Sequence, residues 1–375
     1  MKKVLVSIVT LIAIVFTSCK SENIIDNEDS SFELDATNFK GTIGSGTITL
    51  DPSLTYKLTG ALVVAEGATL TIPAGTTIES IGSATSCYIA IARGATINVN
   101  GTSAEPVVMT SIVKSPGSWG GLVICGDAAT NVGVDAISEV GGLSYGGANN
   151  ADSSGSITYL RVEYTGSKFT SSKEFNGVSL FAVGSGTTFE NVSSVNGGDD
   201  GIEFFGGAVN AKNLVSINAG DDSIDFADGF TGSMDGVYIK GVTKAGIEGS
   251  NNGANGDATP VTTTTISNVS IVDGGLGSSE GAIYFKEGGG TITYENIYVD
   301  GLDLGVRVKS ADVSAIARIQ AGDLVINPIQ FVNFTTLVKG QEGSEANMTE
   351  GVNLGAGNGA DLPTWAAGWA GGSAE

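Results

Sequence analysis

The chain has 375 residues with 56 glycines, only 7 prolines and no histidine, and its 40 acidic against 18 basic residues give a formal net charge of −22. The lack of histidine excludes Ser–His and Cys–His nucleophile systems and removes the commonest metal ligand, while the negative charge argues against nucleic acid as a partner. A hydrophobic content of 41% with abundant glycine is typical of short strands joined by glycine-bearing turns, not of a disordered chain.

The N-terminus begins with the basic "MKK", continues with the apolar "VLVSIVTLIAIVF" and ends with "TS" before Cys19. This pattern predicts a secretory signal over residues 1–18, because the apolar run is too short to span a bilayer. The junction "FTSC" resembles a bacterial lipobox, which predicts lipidation of Cys19 and anchoring in the outer membrane. An ordinary secretion signal with an incidental cysteine is the alternative. Residues 19–38 then form an acidic, flexible tether, which is similar to the export signal of some Bacteroidota-type surface lipoproteins.

Two internal repeats dominate the rest of the sequence. "AEGATLTI" returns as "ARGATINV" after 27 residues, and "NGGDDGIEFF" at 196–205 returns as "NAGDDSIDFA" at 218–227. Strands that recur at this spacing, without helical periodicity between them, are typical of a β-solenoid. We therefore predict an all-β fold, a single right-handed parallel β-helix of roughly a dozen coils. It extends over residues 39–345, and a C-terminal cap follows at 346–375.

The repeat also predicts side-chain directions. Equivalent residues of successive coils lie about 4.8 Å apart, so a residue stacks on its counterpart in the next repeat. Ile202 and Phe204 alternate with Glu203, which predicts that the apolar pair points inward and the acid outward. Asn196 is expected to stack on Asn218 and form an amide ladder at a turn.

The cysteines and tryptophans are expected to be structural. Cys87 and Cys125 could pair outside the cytoplasm, but both lie in strand-like runs, which favours two small buried side chains. Trp119 begins a strand and is expected to be packed rather than to stack on a sugar. Trp365 and Trp369 are expected to cover the open C-terminal end of the solenoid.

Several segments resemble one family. "TIPAGTTIES", "WGGLVICGDAATN", "GGDDGIEFFGG", "NAGDDSIDFADGF" and the C-terminal "LPTWAAGW" resemble segments of predicted right-handed parallel β-helix surface lipoproteins of Bacteroidota-type bacteria. The resemblance covers nearly the whole mature chain, and the paired aspartates and the WGG segment are its most specific parts. It implies the β-helix fold and a cell-surface location, and it implies no catalytic residues.

The paired aspartates concentrate negative charge on two adjacent coils. Two carboxylates at the coil spacing repel each other by about 3 kcal/mol at an effective dielectric constant of about 20. Backbone N–H groups could cap these carboxylates. Alternatively, Ca²⁺ could bind among them, since hard carboxylate oxygens from two coils suit that ion. The candidate Ca²⁺ ligands are Asp199, Asp200, Asp221, Asp222, Asp225 and Asp228.

The same face is a candidate for catalysis. Paired acids can hydrolyse glycosides, and acid-bound Ca²⁺ with a Lys or Arg base can cleave polysaccharides by elimination. Glu203 and Asp225 are the candidate acids, in an outward column that the repeat alignment continues with Glu248 and later with Arg307. The candidate bases are Lys244, Lys286, Arg307 and Lys309.

The leading functional hypothesis is a lipid-anchored, surface-exposed binding or adhesion protein with a Ca²⁺-stabilised acidic turn. Its expected ligand is a glycan or a surface protein. One alternative is a polysaccharide lyase or glycoside hydrolase that uses the acidic face, and this requires a base within hydrogen-bond reach of the acids. Another alternative is a structural protein of the envelope.

Overall fold

Short strands with alternating buried and exposed side chains stack on one another along the chain, because each apolar side chain gains a buried neighbour on the next coil. The computed structural model describes residues 32–340 and 344–371, in which 24 strands form one parallel sheet wound into three ladders. The first ladder contains β2 (Thr47–Thr49), β4 (Thr69–Pro73), β7 (Thr96–Asn100), the first halves of β12 (Gly155–Glu163), β14 (Thr188–Val195), β16 (Asn210–Ile217), β18 (Ser233–Lys240), β20 (Thr263–Val272), β22 (Thr291–Asp300) and β24 (Leu324–Val332), and then β26 (Met348–Glu350).

The other two ladders complete each coil. The second ladder contains the first half of β3 (Thr55–Val64), then β5 (Thr77–Ser80), β8 (Val107–Ser111) and the second halves of the long strands from β12 to β24. The third ladder contains β1 (Phe39–Ile43), the second half of β3, β6 (Ile89–Ile91), β9 (Leu122–Cys125), β13 (Val178–Phe181), β15 (Ile202–Phe205), β17 (Ile224–Ala227), β19 (Ala245–Ser250), β21 (Gly281–Lys286), β23 (Leu304–Val308) and β25 (Thr336–Lys339). These eleven strands agree with the predicted number of coils.

The interior and the register follow the predicted repeat. Ile202 pairs with Ile224 and Phe204 with Phe226, and these four side chains are fully buried. Glu203 lies between them and points out of the coil. The predicted parallel β-helix and its 22-residue register are therefore confirmed for the central coils.

Two columns of left-handed residues make the turns between ladders. In the column between the second and third ladders, Tyr164, Asn196, Asn218 and Gly241 have φ values of 60°, 56°, 55° and 77°. The Asn218 Nδ2 donates to Asn196 Oδ1 at 2.9 Å, which confirms the predicted amide ladder. Asparagine and glycine tolerate this conformation, whereas a bulky residue such as Tyr164 adopts it at a cost of about 1–3 kcal/mol.

A second column bends the long strands between the first and second ladders. Its positive-φ residues are Tyr159, Asn191, Asn213, Gly236, Asn268 and Asn296. The Asn213 Nδ2 donates to Asn191 Oδ1 at 2.9 Å, so an amide ladder also runs along this turn.

The outer face of the third ladder is covered by two inserted segments. The excursion, residues 126–154, contains the small antiparallel sheet of β10 (Ala136–Ile137) and β11 (Ser144–Tyr145). The hairpin, residues 166–176, is closed by the bridge between Lys168 and Glu174. Their apolar side chains pack over the third ladder beside Cys125. Cys87 and Cys125 are both buried and unpaired, which confirms the favoured prediction for them.

The C-terminal segment, residues 351–371, runs back along the outer face of the second ladder, and we call it the strap. Asn353 N donates to Gln330 Oε1 of β24 at 2.9 Å, and Arg161 Nη1 of β12 donates to Trp369 O at 3.2 Å. Trp369 is buried against the side of the coils and Trp365 packs with it, so neither covers the open end as expected. The 3₁₀ turn η2 (Thr364–Ala366) contains Trp365 and precedes Trp369. Trp119 is packed, as predicted, and its Nε1 donates to Glu163 O at 2.7 Å.

The segment boundaries differ in part from the expected ones. Phe32, in the predicted tether, packs against the core, and β26 ends at Glu350, beyond the expected boundary at 345. One helix was not predicted, α1 (Val313–Ala321), which Asp312 caps at its start and Gly322 at its end. A 3₁₀ turn, η1 (Ser344–Asn347), precedes β26. The predicted signal and tether residues 19–31, with Cys19, lie outside the described residues. Among the residues that the structure describes, no helix is long and apolar enough to cross a membrane.

Candidate functional site

An acidic column runs down the outer face of the third ladder. Glu203 pairs with Asp225, and Asp225 with Glu248, so the three side chains stack as the repeat alignment predicted. Tyr284 and then Arg307 continue the column on the next two coils. The three acids are 9%, 9% and 3% exposed, respectively, so the column is buried although it faces away from the core.

The second aspartate of each pair caps the backbone of the next coil. Asp200 Oδ1 accepts a hydrogen bond from the Asp222 N–H at 2.8 Å, and Asp222 Oδ1 accepts one from the Ala245 N–H at 2.6 Å. Backbone capping, one of the two alternatives for these acids, therefore accounts for Asp200 and Asp222.

The first aspartate of each pair has a different environment. Asp199 and Asp221 are partly exposed. Asp199 lies beside the hairpin residue Glu174, whose charge contributes to the raised pKa of Asp199, while Asp221 forms an ion pair of 2.5 Å with the Lys244 Nζ. Of these two stacked carboxylates, Asp199 therefore has an acidic neighbour and Asp221 a basic one.

Carboxylates converge in three groups, in each of which one oxygen from every residue lies within 4.8 Å of the others. The groups are Asp199, Asp200 and Asp221; Asp200, Glu203 and Asp225; and Asp222, Asp225 and Glu248. We call these seven residues the acid cluster. Asp228, a predicted ligand, belongs to none of these groups, and its carboxylate lies beside Asn252 instead.

Positive charge near the acid cluster is scarce. Lys286 Nζ pairs with Glu248 at 2.5 Å, and Asn176 Nδ2 of the hairpin segment donates to Glu203 Oε2 at 2.6 Å. Asp225 Oδ1 is buried and has no hydrogen-bond partner among the described residues. A buried, unpartnered carboxylate oxygen is unfavourable unless it carries a proton or contacts a cation.

Burial dominates the protonation of the cluster. Burial and adjacent carboxylates raise the pKa of Asp199 to about 7, and burial with the Glu248 charge raises the pKa of Asp222 to about 9. The pKa is also raised, again mainly by burial, for Asp200, Glu203 and Asp225. Without a cation, these carboxyl groups retain protons to unusually high pH.

The candidate bases are all engaged with acids. Burial lowers the pKa of Lys244, but its hydrogen bond to Asp221 and the charges of the nearby carboxylates together outweigh burial, so the net pKa is raised. For Lys286, burial is likewise outweighed by the Glu248 charge, the Glu248 hydrogen bond and the other nearby carboxylates together, and its pKa is raised. Arg307 and Lys309 pair with Glu280 at 3.0 Å and Glu287 at 3.4 Å. Neither Lys244 nor Lys286 therefore has the lowered pKa that favours a general base.

An open groove with a volume of about 510 Å³ lies along the turn beside Asp199 and Asp221. Its lining includes glycines 197, 198 and 220, which directly precede or neighbour the aspartates, and the amides of Asn196 and Asn218. Lys114 and Tyr164 also line it, with the Lys114 Nζ 5.2 Å from the Tyr164 ring centroid. A side chain at position 220 would clash with the Gly198 backbone, so a glycine is required for the two coils to stack closely at this turn.

Several site residues were not identified from the sequence. Glu174 and Asn176 come from the hairpin. Lys114 and Tyr164 come from the turns after β8 and β12, outside the clear repeats. For Tyr164 a signal was available, because it aligns with the turn position of Asn196 and Asn218. For the hairpin residues no repeat indicates the contact.

A family model that covers most of the chain agrees with the architecture. Residues 41–370 match the family model described as a pectate-lyase like beta helix domain. Similar solved structures include the catalytic domain of GH87 alpha-1,3-glucanase in complex with nigerose, at 12% identity and a TM-score of 0.37 over 84% of this chain. They also include a variant of that domain in complex with tetrasaccharides, at 13% identity and a TM-score of 0.37 over 83% of this chain. The chain spans 63% of the length of each. No curated protein matches the sequence.

Proposed function

The chain belongs to the pectate-lyase-like β-helix domain family, and from that premise we propose that it is a cell-surface protein that binds a glycan in the groove beside Asp199 and Asp221. The observation that carries the proposal is the groove itself. It is open, about 510 Å³ in volume, and lined by amides, glycines and one tyrosine. Concave sites with a few oriented polar groups and an aromatic ring are typical of ligand pockets.

The proposed cofactor is Ca²⁺ in the acid cluster, with a ligand set that differs from the six aspartates expected from the sequence. Asp225 belongs to both buried groups, with Asp200 and Glu203 on one side and Asp222 and Glu248 on the other. Its unpartnered Oδ1 supports this position, since a hard cation would supply the missing contact. In the proposal the ion offsets charge repulsion and holds the coils beneath the groove.

The proposed location is the outer membrane surface, through a lipid on Cys19. The basic start, apolar run and "FTSC" junction support this. In cells, Cys19→Ser should move the protein from the membrane fraction to the soluble fraction, because the acceptor of the lipid is lost. Cys87→Ser is the matched control and should stay in the membrane fraction. Equal fractionation of both variants would contradict the anchor.

Glycoside hydrolysis is the second candidate, and the contrast between Asp199 and Asp221 favours it. A pKa of about 7 keeps a proton on part of the Asp199 population near neutral pH, while Asp221 forms an ion pair with the Lys244 Nζ. A protonated acid beside an ionised one is the arrangement that hydrolysis requires. Elimination is less favoured, because Lys244 and Lys286 retain their protons.

The glycan proposal predicts retarded migration in affinity gels that contain the polysaccharide ligand. A panel of dextran, mannan, xylan, polygalacturonate and alginate should include at least one retarding polymer. Thr243→Trp should abolish the retardation, because Thr243 lines the groove and an indole would fill it. Thr263→Trp, on the exposed outer face of the first ladder, is the matched control and should bind normally.

The outcomes separate the two candidates. Retardation by none of the polymers, or equal retardation of the Thr243→Trp variant, would contradict glycan binding in the groove. Release of new reducing ends from a bound polymer, lost on Asp199→Asn, would make the protein a hydrolase rather than a binding protein. Retardation without cleavage would support binding alone.

A further inference from the structure

We infer that Tyr164 is the sugar-stacking residue of the groove and that the ligand is an uncharged glycan. This inference rests on the proposed function and assigns its ligand class. The tyrosine lies at one wall of the groove, next to the stacked amides of Asn196 and Asn218. Aromatic rings bind the apolar faces of sugars, and amides bind their hydroxyl groups.

The backbone at Tyr164 supports a role beyond packing. The same turn position holds asparagine in the next two coils and then glycine, all with positive φ. These are the residue types that tolerate the left-handed conformation, whereas tyrosine adopts it only with strain. Strained residues that persist in a well-determined structure cluster at binding sites. The turn itself therefore gives no reason for a tyrosine at position 164.

A second tyrosine with positive φ, Tyr159, has a packing role that accounts for it. Tyr159 also occupies a column of left-handed asparagines, with φ of 51°. Its ring packs edge-on against the buried Trp369, with the ring centroids 5.6 Å apart. Tyr164 has no aromatic neighbour among the described residues. Its ring instead lies under the Lys114 ammonium and against the groove.

The charges around the groove favour a neutral ligand. Lys114 is the one basic residue of the described lining, and its Nζ already donates to Thr110 Oγ1 at 2.9 Å. Asp199 and Asp221 directly follow lining glycines, and the whole chain carries a formal charge of −22. A polyuronate would find only one basic side chain in the described lining, already engaged, and would approach a chain of net negative charge, whereas neither feature opposes a neutral polymer.

Two variants at position 164 test the inference by affinity gel electrophoresis. The gels contain either a neutral polymer (dextran, mannan or xylan) or a polyuronate (polygalacturonate or alginate). Each gel is run once in EDTA and once in millimolar Ca²⁺. Tyr164→Asn introduces the residue that the same column uses in the next two coils, so the fold should be retained. It should weaken binding of the neutral polymer by about tenfold, the loss expected for one aromatic contact. Tyr164→Phe keeps the ring and should bind within about threefold of the parent protein.

Each result bears on a separate claim. Retardation by a neutral polymer that Tyr164→Asn loses and Tyr164→Phe keeps, at an unchanged Tm, would support the inference. A preference for polygalacturonate or alginate would overturn the ligand class and leave glycan binding intact. Unchanged neutral binding in Tyr164→Asn would overturn the role of the ring. Failure of every polymer would contradict the proposed function itself.

Discussion

Raising the pH from 5 to 9 in EDTA is expected to lower the Tm of the protein by about 10 °C. The folded-state pKa values of Asp199 and Asp222, about 7 and about 9, lie above their ordinary value of 3.8. The folded protein therefore holds protons that the unfolded chain releases. This stabilisation is complete below about pH 4 and is lost as the pH rises through the two folded-state values. Differential scanning calorimetry across this range measures it.

Millimolar Ca²⁺ should restore most of the lost stability at pH 9, because the cation replaces the protons that offset carboxylate repulsion. Asp225→Asn should lose most of this response, since Asp225 belongs to both buried groups. Asp228→Asn is the matched control, because burial raises its pKa to about 6 but it lies outside the cluster. A Tm that does not depend on pH, or an equal Ca²⁺ response in both variants, would remove the case for a cation.

Trp369→Ala should lower the free energy of unfolding by about 3–5 kcal/mol, the range for truncation of a buried tryptophan. Trp369 is fully buried, contacts Tyr159 edge-on, and donates from Nε1 to Trp365 O at 2.7 Å. The substitution leaves a cavity between the strap and the second ladder. Urea unfolding monitored by circular dichroism measures the change.

The control for this variant lies in the same segment. Val352 is 92% exposed, so Val352→Ala should change the free energy of unfolding by no more than about 0.5 kcal/mol. Trp369→Ala with the stability of the parent protein would mean that the strap contributes little to the folded state. If the substitution destabilised only the strap, the strap would unfold at lower urea concentration than the coils, and the curve would show a small transition before the main one.

The fold and the acidic column were predictable because a solenoid converts sequence spacing into spatial contact. A shift of 22 residues places Glu203 on Asp225 and Asn196 on Asn218, and both contacts are present. The same logic placed Glu248 and Arg307 in one column, although Arg307 pairs with Glu280 and not with the column acids.

The remaining contacts come from segments that do not repeat. Glu174 reaches Asp199 from the hairpin, and Arg161 meets Trp369 across 208 residues of sequence. No periodicity links these positions, so their proximity depends on how inserted segments fold over the coils. The prediction that Trp365 and Trp369 cover the C-terminal end of the solenoid is wrong for the same reason. Their spacing indicates apolar packing but does not indicate which surface they cover.

The strap also changes how the β-helix can come apart. Coils that contact only their neighbours can be lost one at a time from an end, since each departure breaks a single interface. Here the last coil is tied through the strap to strands as distant as β12. Loss of that coil therefore breaks contacts along the whole interval, and β12 to β26 act as one cooperative unit.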